Sequence, residues 1–141
     1  MEVLWKLHRW VYKQTGGRLG GSLFGMPVLL LITTDRRTAR PSTTALSYLE
    51  DHGRYIVIAS NAGEPRHPAW FLNLQAYPTA LVRRGSELVT VTAREAVGCE
   101  RDRLWARVIA ADAAYGEFQR RTARLIPVVV LAPRPQTCSA S

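Results

Sequence analysis

The chain has 141 residues, 47% of them apolar and 21% charged, the size and balance of one globular domain that can bury about 70% of the surface its unfolded form exposes without a metal or disulfide. Two cysteines, Cys99 and Cys138, and three histidines, His8, His52 and His67, supply neither a disulfide framework nor a zinc-ligand cluster, and they fit a reducing compartment. With 19 basic and 11 acidic residues the net charge is +8, which favours an anionic partner: nucleic acid, an acidic membrane face, or a phosphorylated, carboxylated cofactor.

In residues 2–14, Val3, Leu4, Leu7, Trp10 and Val11 fall at helical spacing opposite Lys6, Arg9 and Lys13, which predicts a short amphipathic helix ended by Gly16 and Gly17. The Gly-rich stretch to Gly25 reads as a linker rather than a phosphate loop, because no helix start or Lys-Ser/Thr pair follows it. The longest apolar run, Met26 to Ile32, is far short of the ~20 residues that span a bilayer, and no signal-peptide pattern is present. The expected location is the cytoplasm, with the basic N-terminal helix offering a peripheral contact to the inner membrane face.

From Met26 the pattern turns to strands. Val28–Ile32 is a continuous apolar run, as in a strand buried on both faces, whereas Thr43–Leu49 alternates. Glu50–Gly53 is a turn and Tyr55–Ala59 the returning strand. A loop over 60–66 leads to a helix opened by His67-Pro68, with proline in the first turn, that runs to about Ala76. Thr79–Arg83 and Glu87–Ala93 form a hairpin around Arg84-Gly85-Ser86. Residues 99–114 read as one helix with Leu104, Trp105, Val108 and Ile109 on a face, and Val128–Leu131 is the last strand. This order is not a strand-helix alternation; it suits an α+β, mainly β, closed or partly closed antiparallel barrel of about six strands. The domain plan is 1–25 helix and linker, 26–134 barrel, and 135–141 a flexible tail.

Two segments carry chemistry. Thr33 to Thr44 is a polar loop with three arginines, Arg36, Arg37 and Arg40, and six hydroxyl residues; guanidinium forks and hydroxyls suit phosphate and carboxylate oxygens, although a basic β-turn is also a common solvated edge. Ala59 to Leu74 joins a strand end to a helix start, and its small residues would let a planar ring approach the backbone. Trp70, Phe71 and Leu74 there also read simply as core, with Asn73 the odd polar residue among them.

Together with LWARVIAADAAYGEF and the closing RLIPVVVLAPR, the stretches LLLITTDRRTARPSTTALSYL and YIVIASNAGEPRHPAWFLNL resemble the deazaflavin-dependent nitroreductase family over Pro27 to Pro133. The resemblance implies an FMN-binding-like split β-barrel that uses coenzyme F420. It assigns Arg36, Arg37 and Thr38 to the coenzyme's phosphate and acidic tail, with Arg40, Thr43, Thr44, Ala45 and Leu46 nearby. Ser60, Asn61, Ala62 and Gly63 would border the deazaflavin ring, Trp70 and Asn73 would support it, and Tyr115 and Phe118 would lie over the substrate. The sequence departs from the family pattern in three places. The Gly-Arg-Lys-Ser-Gly start is Asp35-Arg36-Arg37-Thr38-Ala39, Ser42 replaces a common arginine, and Ala45 replaces a frequent proline.

The implied activity is hydride transfer from reduced deazaflavin to an electron-poor acceptor, such as a nitro compound, quinone, imine or activated alkene, including natural-product intermediates. The protein's task is then to hold donor and acceptor together and exclude water, with Ser60 and Tyr115 as candidate donors to the developing charge. His67 could also be the acid, but its place before Pro68 fits a helix cap better. The alternatives are an FMN-dependent oxidoreductase on the same barrel and a non-catalytic coenzyme carrier. A homodimer is left open. A nucleic-acid partner is not expected, since the exposed aromatics that stack bases are missing.

Overall fold

The computed structural model describes residues 26–135. The expected 2–14 helix, its linker and the tail after Pro135 lie outside the described residues. Seven strands form one fully antiparallel sheet: β1 Val28–Thr34, β2 Pro41–Ser47, β3 Leu49–Asp51, β4 Arg54–Ile58, β5 Thr79–Arg84, β6 Glu87–Glu95 and β7 Val128–Pro133. Among the described residues three α-helices accompany them: α1 Ala69–Ala76, α2 Gly98–Ala111 and α3 Ala114–Arg121.

The strand order is β2-β1-β5-β6-β7-β4-β3. Its two edge strands are consecutive in the chain, with only Tyr48 between them. The opposite edges of the sheet must therefore meet at Tyr48, and the sheet curls into the split barrel expected from the resemblance. The seam is packed: Tyr48 and Tyr55 meet edge to face at 5.5 Å. The Arg84 guanidinium lies 5.9 and 5.6 Å from their ring centres and donates to the Tyr48 hydroxyl at 3.0 Å.

Strand alternation divides the apolar residues between two cores. Leu29, Leu31, Val57, Val82, Val129 and Leu131 fill the barrel, which α1 closes with Trp70, Phe71 and Leu74. Ile56, Ile58, Val128 and Val130 point the other way, against Leu104 and Val108 of α2. Both faces of β4 and β7 are thus covered, which is why they read as unbroken apolar runs. β1 differs from expectation. Only Leu29, Leu31 and Thr33 are buried, and the alternate face of its apolar run is half-buried.

Further differences follow from local chemistry. The strand expected over 43–49 is split at Tyr48, and Glu50 and Asp51 pair in β3 with Tyr55 and Arg54, leaving His52-Gly53 as the turn. Asp51 is 4% exposed and takes hydrogen bonds from Arg54 (2.7 Å), Arg103 (2.8 and 3.0 Å) and Arg107 (3.0 Å). This ties the short edge strand to α2. The helix expected over 99–114 breaks at Asp112, whose backbone is extended and whose carboxylate accepts the Ala114 amide at 3.0 Å, opening α3. Pro68 is the N-cap of α1 rather than part of its first turn. No helix among the described residues is long and apolar enough to cross a membrane.

Candidate active site

The site begins where the chain leaves β4. Asn61, Ala62 and Gly63 form a left-handed turn, with φ of +46°, +55° and +81°, closed by amides of Gly63 and Glu64 donating to the carbonyls of Ser60 and Asn61 at 2.9 and 3.0 Å. Left-handed backbone costs a residue with a Cβ roughly 1–2 kcal/mol, so Asn61 and Ala62 keep this shape only because their surroundings impose it. Asn61 contributes one restraint itself, donating from Nδ2 to the Arg66 carbonyl at 3.1 Å.

Two other elements impose the rest. α3 closes on Gly63, where an added Cβ would stand 2.8 Å from the Phe118 carbonyl oxygen and 3.0 Å from Arg121 Cβ. Arg124, between α3 and β7, spreads its guanidinium over the loop, donating to the carbonyls of Ala59 (3.2 Å), Ser60 (2.8 Å) and Glu64 (3.0 Å). Its Nη1 also lies 3.2 Å from His67 Nδ1. Burial first, and the Arg124 charge second, hold the His67 imidazole below its usual range. His67 does not cap α1, whose N-cap makes no side-chain bond. Arg124 was not among the residues expected from sequence. Its carbonyl partners lie 60 to 65 residues away in the chain, and no local pattern announces them.

Beside this turn lies a cleft of about 490 Å³, within the size range of small-molecule sites. Thr44 and Leu46 of β2, Ser60 and Asn61 of the turn, Trp70 of α1 and Tyr115 of α3 line it, with Glu64, Arg66 and His67 on the loop side. The ring of Tyr115 is set edge to face against Phe118, with centroids 5.8 Å apart.

The basic loop is shorter than the sequence suggests, since Thr33-Thr34 belong to β1 and Pro41–Thr44 to β2, leaving 35–40 as the connection. Asp35 organises it. Its Oδ1 accepts the amides of Arg37 and Thr38 at 2.8 and 2.9 Å, and these bonds, Thr38 first, hold its carboxyl below the usual range. Ala39 sits at φ +62°, which explains why the family pattern has glycine at this position. Arg36 turns inward, its amide and Nη1 donating to Asn73 Oδ1 at 3.1 and 3.3 Å, while Asn73 Nδ2 donates to Thr33 Oγ1 at 3.1 Å. The odd polar residue of α1 is therefore the tie between helix and loop. Arg37 and Arg40 are exposed, and no carboxylate among the described residues is ion-paired with either.

The structure thus distributes the expected site residues over two places. Thr44, Leu46, Ser60, Asn61, Trp70 and Tyr115 meet in the cleft, whereas Arg36, Arg37, Thr38 and Arg40 form the separate loop that Asn73 holds. Thr43 and Ala45 alternate with the cleft residues and fall on the other face of β2. Ala62 is exposed and Gly63 is buried under α3, so neither lines the cleft, and Phe118 packs with the outer core.

Residues 4–133 match the family model described as F420H(2)-dependent quinone reductase. An F420H(2)-dependent quinone reductase of Mycobacterium tuberculosis (strain ATCC 25618 / H37Rv) is 42% identical over 135 residues, covering 93% of this chain and 91% of that protein. Among solved structures, an F420-H2 dependent reductase, FDR-A, superposes with a TM-score of 0.68 at 37% identity, covering 74% of this chain and 93% of the other. A structure described as a domain-swapped dimer gives 0.69 at 32% identity, covering 93% and 99%.

Proposed function

The chain belongs to the F420H2-dependent quinone reductase family and is an F420-dependent oxidoreductase, and from that premise we propose that its cleft receives the deazaflavin ring while the 35–40 loop receives the phosphate and acidic tail. One observation carries this assignment. Asn73, which anchors the loop through Arg36, stands three residues along α1 from Trp70 in the cleft wall, so one helix carries both a wall of the cleft and the anchor of the loop that bears the exposed Arg37 and Arg40.

The donor set fits the coenzyme. Arg37 and Arg40 offer charge-assisted bonds to phosphate and carboxylate oxygens, and Ser60 and Asn61, the turn residues that line the cleft, carry no bulky side chain against a flat ring. Coenzyme F420, when bound, supplies the hydride. The chain's own residues orient and desolvate: Leu46 and Trp70 exclude water, and the Ser60 and Tyr115 hydroxyls are the candidate donors to negative charge that develops on the acceptor. The acceptor is a quinone, a reading supported by the names of the relatives and by the carbonyl oxygens a quinone would offer these hydroxyls.

Anaerobic oxidation of F420H2 followed optically, with a quinone, a nitroaromatic, an imine and an activated alkene in parallel, tests the acceptor. Oxidation by the other three but not by the quinone overturns it. Gel filtration after mixing with F420 or FMN tests the coenzyme site, and retention of F420 without oxidation by any acceptor would instead mark a carrier. The same reading includes a homodimer, supported by the relative described as a domain-swapped dimer and tested by sedimentation equilibrium.

A further inference from the structure

We propose that Arg124 fixes His67 in the tautomer carrying its proton on Nε2, and that His67 thereby serves the cleft as a neutral hydrogen-bond donor to a carbonyl oxygen of the hydride acceptor. The identity of the acceptor rests on the function proposed above. The tautomer does not.

The argument starts from what an arginine can do. A guanidinium has five N–H donors and no acceptor, so the 3.2 Å approach of Arg124 Nη1 to His67 Nδ1 requires a lone pair on Nδ1. A neutral imidazole then carries its hydrogen on Nε2. Arg124 is not free to turn away, because the same guanidinium is held by the carbonyls of Ala59, Ser60 and Glu64. Nor is the ring, which packs on buried Phe71 at a centroid distance of 4.8 Å. Adding a proton at Nδ1 would set N–H against N–H and a second positive charge beside the first.

The groups around the ring act in the same sense on balance. Burial and Arg124 disfavour the imidazolium, and Glu95 of β6 opposes them more weakly. Glu64 and Arg66 from its own loop, Ser60 from the turn and Tyr115 of α3 share the cleft wall with it. His67 therefore remains neutral where an ordinary histidine is partly charged. A neutral imidazole donates a hydrogen bond to a polarised oxygen without giving up that proton. The proton that completes reduction must come from another group, which separates the roles of His67 and Tyr115.

Nitrogen-15 NMR of the imidazoles in the full chain without coenzyme tests the tautomer directly. His67 should show protonated Nε2 and unprotonated Nδ1 at about pH 8 and keep that pattern to lower pH than an ordinary imidazole, and Arg124→Met should move its titration upward, short of the ordinary value because the burial remains. Turnover tests the role. His67→Gln, which keeps a side-chain N–H, should retain most of kcat, while His67→Phe should lose about 100-fold in kcat, a larger effect than on the F420 dissociation constant. Thermal melting confirms that each variant is folded. An Nδ1–H tautomer, or ordinary titration in the unmodified protein, overturns the proposal whatever the variants do. Full turnover by His67→Phe overturns the donor role. If the unmodified protein binds no F420, the cleft assignment fails while the tautomer result stands.

Discussion

The carbonyl oxygen of Phe118 lies 2.8 Å from the position a Cβ on Gly63 would occupy, so α3 reaches the left-handed turn through a missing side chain. Gly63→Ala forces that contact apart at a residue whose φ is +81°, a strained conformation for alanine. The expected cost is about 1–3 kcal/mol of stability, as for overpacking elsewhere. Because Tyr115 rides on α3, the KM for the acceptor should rise more than the F420 dissociation constant. Denaturant unfolding and steady-state kinetics check both, and an alanine variant as stable as the parent with unchanged KM would show that α3 is not seated this way.

Asp35 already occupies the amides of Arg37 and Thr38, two donors the loop could otherwise add to the Arg37 and Arg40 guanidinium groups in meeting an anion. Asp35→Gly frees both amides and removes a negative charge from the path of an anionic tail. F420 should bind more tightly to this variant at low salt, with the advantage shrinking as ionic strength rises. Weaker binding at all salt concentrations would mean that the carboxylate is needed to shape the loop.

Arg37→Ala should weaken F420 binding about tenfold or more, the scale of a charge-assisted hydrogen bond, whereas Arg83→Ala, an exposed position on β5, should leave it unchanged. Arg84 would be a poor control despite its place beside the Gly85-Ser86 turn, because its guanidinium packs on Tyr48 and Tyr55. Equal affinities for Arg37→Ala and the parent in a fluorescence titration would remove this loop as the anchor.

Tyr115→Phe keeps the ring against Phe118 and removes only the hydroxyl. If that hydroxyl assists the acceptor, kcat should fall by at least tenfold, the lower end of proton-transfer and oxyanion effects being near 100-fold, with thermal melting run beside it to separate this from a change in stability. A variant with parental kcat would leave Ser60 and His67 as the donors.

Acid should unfasten β3 from α2. Asp51 and Glu100 both lie well below their usual range, Glu100 at about 2, chiefly through the guanidinium bonds of Arg103 to the first and Arg94 to the second. A carboxylate with a lowered folded pKa stabilises the fold at pH above its unfolded value, and that contribution is lost as the pH drops through the interval down to the folded value. Melting temperature should therefore fall as pH goes from about 4.5 towards 2. Glu100→Gln should melt lower at neutral pH and fall less steeply in acid. Parallel curves for variant and parent would show that Glu100 is not linked to folding.

Contiguous residues were informative wherever the chemistry itself is contiguous. The hairpins, the arginine-hydroxyl loop and the ASNAGEPRHPAW stretch follow from alternation, turn residues and spacing, and a run such as VVVL at 128–131 declares a strand covered on both faces. Those same stretches carried the resemblance that named the coenzyme. Where local signals compete, sequence was ambiguous: AADAA reads as unbroken helix, yet Asp112 is extended and accepts the Ala114 amide, and the apolar run of β1 hides a face that is only half-buried.

The amino-acid sequence by itself thus determined the barrel class, through the resemblance, and most of its strands, because strands depend on side-chain period and composition within a few residues; β3, read as part of a turn, was missed. Only the tertiary structure decided that Tyr48 closes the sheet, that Asn73 holds Arg36, and that Arg124 governs the Ser60 turn and His67. Each of the last two joins groups 37 to 65 residues apart. A hydrogen bond across such a distance depends on how two distant elements are packed, and it leaves no periodic trace in the chain.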